Sequence, residues 1–198
     1  MGKEVVASFI AEAPICIVSL VDYYRFKRLC DAFDAPFHFD SMDSIFIGMW
    51  DALIALHNIA IAAESMGLGT CYIGMILGTE NQELFELPDY VFAAGMLSIG
   101  YPANIPGLRT CLPVDTLVHK NTYKIPTDEE LKENYKEWLS KWDEFFEKLS
   151  DEKKQQWNKE LGIKNNVQYI TKTAYTKEII EDSSNNIVKN IRKAEYRI

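Results

Sequence analysis

The pattern of apolar and polar positions along the chain predicts three short buried strands set among helices. Runs rich in β-branched or small apolar residues, without polar alternation, are typical of strands whose two faces are both covered. The predicted strands are ICIVSLVDY at 15–23, TCYIGMI at 70–76 and VFAAGMLSIGY at 91–101. The remaining pattern predicts a helix stopped by Pro14 and helices within 23–33, 41–66, 79–88, 126–162 and 176–195.

The ends of two helices can be predicted from single residues. Ser41 or Asp43 is suited to cap the start of the long helix, and Gly67 is suited to end it in the left-handed conformation. Thr79 is predicted to cap the short helix that Pro88 closes. These signals are local, so they predict where helices begin and end more directly than what the helices pack against.

The apolar run at 45–63 is long enough to cross a bilayer. Asp51, His57 and Asn58 interrupt it, so we predict a buried core helix rather than a membrane span. No basic segment followed by an apolar one has the form of a signal peptide, which favours a cytoplasmic protein.

Length and charge narrow the class of protein. A chain of 198 residues with 47% hydrophobic and 25% charged residues is typical of one soluble domain with a substantial core. Its net charge of −8 argues against nucleic acid or an anionic membrane as the main partner. All of the acidic excess falls in residues 1–113, which hold 13 Asp/Glu against 5 Lys/Arg.

Metal and disulfide chemistry have little support in the sequence. The four cysteines are widely spaced and form no CxxC pair, so we predict buried, reduced thiols. The three histidines lie far apart, which argues against a zinc site. These residues are Cys16, Cys30, Cys71 and Cys111, and His38, His57 and His119.

The stretch GLGTCYIG at 67–74 joins the long helix to the second strand. Its glycines allow the backbone to approach a flat or charged ligand closely, but they also suit a close-packed turn. The stretch is not a dinucleotide-binding fingerprint, because that motif follows a strand and opens a helix, whereas this one follows a helix and opens a strand.

Arg109 is the one Lys or Arg between Arg28 and Lys120, in a Pro/Gly loop after a buried strand. It is suited either to pair with a local carboxylate or to hold a ligand phosphate, which guanidinium geometry binds through two hydrogen bonds.

Polar residues on the long helix need partners, and satisfied core or interface groups are the favoured interpretation over catalysis. His57 and Glu64 share one face, whereas Asn58 is offset from them. The spacing of residues in this chain gives no nucleophile–base arrangement and no acid–base pair of carboxylates, so no catalytic residue is assigned.

An ordered series of segments resembles the flavin-dependent nitroreductase family, in its NAD(P)H:flavin/nitro oxidoreductase branch. The series runs through DALIALHNIAIAAESMGLGTCYIGMI and then ELFELPDYVFAAGMLSIGYPANIPGLRTCLPVDTLVHKNTY. The preceding EAPICIVSLVDYYR is similar to the family's central strand. The likeness covers residues 5–125, and its specificity lies in the order of the elements rather than in any one of them.

The resemblance implies an α+β fold with a mixed sheet flanked by helices. The long helix would lie at the centre of an obligate homodimer, with FMN bound at the dimer interface. It implies a core over residues 1–125, and we expect the charged helical extension over 126–198 to pack on the core or on the partner subunit. The backbone of Tyr72, Ile73, Gly74 and Met75 would lie along the flavin ring, and Arg109 would contact the FMN phosphate.

Two departures from the family pattern accompany the likeness. Cys111 stands where the second basic residue of the phosphate-binding segment would be. Residues 1–13 contain no match to the family's N-terminal segment, with its Arg-Arg-Ser-like motif for the phosphate and ribityl chain. Three alternatives follow: a truncated gene product, a missing part supplied by another chain, or a lost flavin site.

The expected function is an FMN-dependent oxidoreductase that passes hydride from NAD(P)H through flavin to a nitroaromatic, a quinone or a flavin. The alternative is a flavin-free dimeric scaffold or binding protein of the same fold. A flavin-destroying or dehalogenating relative is a third reading, because those chemistries share the fold. Lys189, Arg192 and Lys193 are candidate contacts for a 2′-phosphate, and a solvated helix face is the alternative for them.

Overall fold

The structure is a computed structural model that describes residues 9–74, 76–105, 107 and 111–198. The strands are β1 (Ile15–Asp22), β2 (Gly69–Ile73) and β3 (Val91–Gly100). The helices are α1 (residues 9–12), α2 (Tyr24–Ala32), α3 (Met42–Ser65), α4 (Thr79–Leu84), α5 (Val114–Leu117), α6 (Asp128–Asn134), α7 (Lys136–Glu147), α8 (Asp151–Gln155), α9 (Asn166–Tyr169) and α10 (Lys177–Lys193). Short π-helical segments, Gln156–Glu160 and Ile170–Ala174, continue α8 and α9.

The chain divides into two compact units. Unit 1 comprises the residues up to 105 together with 181–198, and unit 2 comprises 106–180. The C-terminal residues therefore return to the unit that contains the sheet. The sequence predicts a different division, into a family-like core over 1–125 and an extension over 126–198 that packs on the core or on a partner subunit. That division stays a prediction.

The three strands form one sheet in the order β1-β3-β2, and β3 pairs antiparallel with both neighbours. The strand predictions are confirmed within a few residues. Two details differ from the resemblance: the central strand is β3 rather than β1, and no parallel pair occurs among the described strands, where a mixed sheet was expected. β3 is central because it pairs with both other strands. Its burial agrees with this position, since every β3 residue except Gly100 is buried.

Helix α3 covers one face of the sheet. Its buried side includes Ile45, Ala52 and Leu56, which pack with residues of β1 and β3. Close approach depends on Gly95 of β3, because an added Cβ there would lie 2.9 Å from the Leu53 Cδ2 atom. The absence of a side chain at Gly95 thus lets the helix and the sheet come close together.

The ends of α3 follow the predicted signals. Ser41 is the N-cap, and its side chain accepts a hydrogen bond from the Ser44 backbone N–H. Gly67 follows the helix with φ +79, a conformation that glycine adopts without the cost of a Cβ. The predicted cap of α4 was wrong by one residue, because Gly78 is the N-cap and Thr79 begins the helix.

In the single chain, the predicted core helix α3 is buried on one side only. Only six of its 24 residues are buried, and large apolar side chains on the other side are exposed. The most exposed are Phe46, Trp50, Ile54 and Ile61, which we call the α3 stripe. By length and composition alone, α3 is the one helix in the described chain that could cross a membrane, and this is weak support because the core helix of a soluble protein passes the same test.

The C-terminal residues complete the core of unit 1. Ile191, Ala194 and Tyr196 pack in one cluster with residues of β1, α3 and β3. The Tyr196 hydroxyl donates to the Tyr90 carbonyl at 3.1 Å, and the Tyr90 N–H donates to the Ala194 carbonyl at 2.9 Å. Burial raises the pKa of the Tyr196 hydroxyl above its ordinary value.

The residue after Tyr196 forms an ion pair. The Arg197 guanidinium contacts both carboxylate oxygens of Asp40, at 2.6 Å each, and the Arg197 backbone N–H donates to the Asp40 carbonyl at 2.7 Å. The two-oxygen geometry is the specific form of an arginine–carboxylate pair. The helix predicted over 176–195 is confirmed as α10.

We expect Glu195→Gly to raise the free energy of unfolding by roughly 1 kcal/mol, because Glu195 has φ +64 and a side chain is strained there. Thermal and urea unfolding would measure the change. Lys189→Gly is the opposing control, since it places glycine inside α10 and should destabilise by about 1 kcal/mol. A loss of stability in Glu195→Gly would contradict the strain argument.

Unit 2 has its own small aromatic core. Trp142 of α7 is 5% exposed and stacks on Trp157 at 5.8 Å between ring centroids, with Tyr169 at 5.2 Å. Ile163 is fully buried. Trp142 therefore lies in a packing face of unit 2, whereas Leu131 and Phe145 remain exposed.

Candidate functional site

The junction between α3 and β2 shows which of its glycines serve the fold. Gly69 lies against Pro102, because an added Cβ would come 3.2 Å from the Pro102 Cβ atom. At Gly74, an added Cβ would meet nothing within 4 Å. Gly69 is thus a close-packed position, whereas the backbone at Gly74 borders open space.

The predicted flavin-contacting residues differ in their surroundings. Tyr72 is half-exposed, Ile73 is buried among residues of the sheet, and Gly74 is exposed. Their backbone leaves the sheet here, since the ladder between β2 and β3 ends at Ile73. Met75 and Arg109 lie outside the described residues, so the predicted phosphate contact has no geometry here.

Two side-chain hydrogen bonds join α3 to β2. The His57 Nδ1 atom lies 2.8 Å from the Tyr72 hydroxyl, and the Thr70 hydroxyl donates to the Glu64 carboxylate at 3.3 Å. Sequence reasoning placed His57 and Glu64 on one face and predicted partners for them. It did not identify the partners. In each pair, one residue precedes the Gly67 turn and the other follows it.

The other polar residues of α3 are exposed. Asn58 and Asp51 point away from the buried side. The pKa of the Tyr23 hydroxyl is raised above its ordinary value. Burial is the larger cause, and the nearby carboxylates of Asp51 and Asp43 add to it. No nucleophile–base pair emerges from these contacts.

The candidate contacts for a 2′-phosphate are partly engaged within unit 1. The Arg192 side chain donates to the Ile198 carbonyl at 3.1 and 3.2 Å, and the Lys193 ammonium lies 2.7 Å from the Glu83 carboxylate. Lys189 is exposed. The interpretation as a solvated helix face fits these contacts better than a preformed phosphate site.

Unit 2 contains a cavity of about 260 Å³ with a polar lining that includes Asp115, His119 and Tyr123. Lys124 and Glu130 form an ion pair at its edge, with 2.7 Å between nitrogen and oxygen. The pair raises the pKa of the Lys124 ammonium and lowers that of the Glu130 carboxyl. The lining is chemically mixed and favours no single ligand.

The described residues contain neither a candidate metal site nor a disulfide. There, no group of three or more His, Cys, Asp and Glu could hold a metal ion, and no disulfide joins the four cysteines. The prediction that the thiols are buried holds for Cys30 alone. Cys16, Cys71 and Cys111 are exposed, the first two because they lie on the outer strands of the sheet.

The sequence profile of the nitroreductase family matches residues 3–101. The chain belongs to the nitroreductase family. The predicted family and the α+β fold class are thereby confirmed, and the structural comparison agrees. An oxidoreductase from Bacteroides fragilis NCTC 9343 superposes with a TM-score of 0.82 at 26% identity, over 96% of this chain and 74% of that one.

Relatives of this nitroreductase-family chain include enzymes named for reductions. A Cr(VI) reductase of Pseudomonas sp. strain G-1 is 33% identical over 147 residues, which are 73% of this chain and 60% of that protein. An FMN reductase (NADPH) of Bacillus subtilis is 35% identical over 116 residues, 57% of this chain and 47% of that protein. The chain thus spans between about half and three fifths of these two relatives. Their names agree with the expected FMN-dependent oxidoreductase.

Proposed function

We propose that the chain acts within an FMN-dependent oxidoreductase that passes hydride from NAD(P)H to a nitroaromatic, a quinone or a flavin. The observation that carries this proposal is the open backbone at Gly74, at the end of β2, in a chain of the nitroreductase family. FMN would supply the hydride chemistry when bound. Tyr72, Ile73, Gly74 and Met75 would position its ring, and Arg109 would contact its phosphate.

The residues present fit the ring end of FMN better than its phosphate end. A flat ring needs an approachable backbone, and Gly74 supplies one because no side chain projects there. Ile73 anchors that backbone, since its side chain is buried with Ile76, Ala93 and Met96. At the phosphate end this chain offers Arg109, with Cys111 at the family's second basic position.

We also propose that the protein is a cytoplasmic homodimer joined through the α3 stripe. Its side chains recur at four- and seven-residue spacings, so they lie on one side of the helix. Trp50 and Ile54 are both 61% exposed, and contiguous apolar surface of this kind marks an interaction site. The opposite side of α3 is already occupied by the sheet.

Adding FMN to the purified chain tests the flavin assignment. We expect a bound-flavin absorption spectrum and oxidation of NADPH or NADH with a quinone or nitroaromatic acceptor. We expect Arg109→Ala to weaken FMN binding at least about tenfold, because a hydrogen bond to a charged group contributes roughly 1.5–3 kcal/mol. Arg28→Ala is the matched control, since Arg28 is exposed and contacts Tyr24.

The alternative function is a flavin-free dimeric scaffold, and the observation that favours it is Cys111. A single cation is a weak site for a phosphate dianion. Absence of FMN binding at high FMN concentration, with the dimer intact, would support the scaffold and contradict the oxidoreductase for this chain.

A further inference from the structure

A hydrogen-bonded pair lies beside the predicted flavin turn. The His57 Nδ1 atom and the Tyr72 hydroxyl are 2.8 Å apart, and their rings are stacked at 6.3 Å between centroids with 29° between planes. His57 lies on a helix of 24 residues, whereas Tyr72 is the penultimate residue of a strand of five. The rigid helix therefore holds the side chain of a short strand.

The strand needs such support at this end. β2 is an outer strand of the described sheet and pairs only with β3. Its ladder stops at Ile73, one residue after Tyr72. The side-chain bond from α3 therefore restrains β2 in addition to its pairing with β3, immediately before the backbone at Gly74 borders open space.

The surroundings of the pair contain few charges. The charged neighbour on the same face of α3 is Glu64, which is bonded to Thr70 of β2. The side chains that β1 and β3 turn toward this part of α3 are apolar, namely Ile17, Leu97 and Ile99.

The imidazole's protonation state decides the direction of the bond. A neutral imidazole has one N–H and one acceptor nitrogen, so the Tyr72 hydroxyl can donate to it. A protonated imidazole has two donors, and the Tyr72 oxygen must then accept. The Tyr72 O–H is then free to donate to another acceptor.

We propose that His57 is a positioning residue for the flavin-contacting end of β2, which acts by holding Tyr72 and by setting the direction in which the Tyr72 hydroxyl donates. The inference rests on the proposed function, because the ring of the flavin is what the Tyr72–Gly74 backbone would contact.

Five variants and two flavins test the inference. His57→Leu, Tyr72→Phe and their double variant remove the bond, whereas His57→Gln keeps a hydrogen-bonding group. Thr70→Val is the matched control, because it breaks the neighbouring bond to Glu64. We would measure the affinity of each variant for FMN and for riboflavin at pH 7.5. Riboflavin lacks the phosphate, so its affinity reports on the ring contact.

We expect His57→Leu and Tyr72→Phe to weaken binding by about fivefold each, the usual net effect of one hydrogen bond. The double variant should be no weaker than either single one, because both remove the same interaction. His57→Gln should restore affinity at pH 7.5, because its amide can again form a hydrogen bond with the Tyr72 hydroxyl. Thr70→Val should match the wild type in both measurements.

Three results would overturn the inference. If the wild type binds FMN and both His57→Leu and Tyr72→Phe bind it equally well, the inference is refuted but the proposed function is not. Failure of His57→Gln to restore affinity at pH 7.5 would show that a hydrogen bond to Tyr72 is not what holds this end of β2. Failure of the wild-type chain to bind either flavin would refute the proposed function and this inference together.

Discussion

Ile54→Lys is expected to convert the protein from a dimer to a monomer. Ile54 lies in the middle of the α3 stripe and is 61% exposed in the single chain. In a dimer joined through this stripe, the lysine would lose the apolar burial of isoleucine and bring an unpaired charge into the interface. The dimer dissociation constant should rise at least about 100-fold, since each 1.4 kcal/mol is a factor of ten. Sedimentation velocity over a range of concentrations would measure it.

Phe33→Lys is the matched control for this experiment. Phe33 is 77% exposed and lies at the end of α2, away from α3. The same change of an apolar side chain to lysine should leave the dimer unchanged there. A monomeric wild-type protein, or a dimer that survives Ile54→Lys, would show that α3 is not the interface.

Tyr196→Ala is expected to lower the free energy of unfolding by about 3 to 5 kcal/mol, as for other large aromatic residues removed from a core. Tyr196 is 3% exposed, and its ring meets Phe92 edge to face at 5.4 Å and Tyr90 at 6.2 Å. The change would leave a cavity and would also remove the hydrogen bond to the Tyr90 carbonyl. Urea unfolding monitored by circular dichroism would measure the loss.

Tyr196→Phe separates the two contributions, because it keeps the ring and removes the hydroxyl. We expect it to cost about 1 kcal/mol, the usual net contribution of one hydrogen bond. A cost of Tyr196→Ala below that of Tyr196→Phe would contradict a packing role for the ring. The comparison therefore tests whether the last residues of the chain belong to the core.

Local signals predicted the elements well. Ser41 and Gly67 mark the ends of α3 because a capping oxygen and a left-handed glycine act within one turn of the helix. The three strands could be found for a similar reason, since apolar β-branched runs of strand length carry their own signal. The family could be identified because these elements occur in a characteristic order.

Burial could not be predicted as well. An apolar run does not show how many neighbours its strand has, so Cys16 and Cys71 were expected to be buried although they lie on outer strands. Likewise, the composition of α3 does not distinguish a helix covered on all sides from one that leaves Trp50 exposed. Both points concern the arrangement of elements relative to one another, which a one-dimensional pattern does not contain.

Only part of the candidate site could be predicted from the sequence. The stretch Tyr72–Gly74 was predicted from the resemblance to the family, and the structure adds that its backbone is approachable. The bond between His57 and Tyr72 could not be predicted, because it requires the angle at which β2 leaves α3. Met75 and Arg109 lie outside the described residues, so their predicted roles stay predictions.

The return of the C-terminal residues to unit 1 has a consequence for biosynthesis. Unit 2 is inserted between residue 105 and residue 181 of unit 1, and Ile191, Ala194 and Tyr196 complete the core of unit 1. A chain that emerges from the ribosome therefore displays β1, α3 and β3 with part of their apolar surface uncovered until residues 191–196 are made. Because domains usually fold as they are synthesised from the N-terminus, we expect unit 1 to complete its core after unit 2, whose residues 106–180 precede residues 181–198.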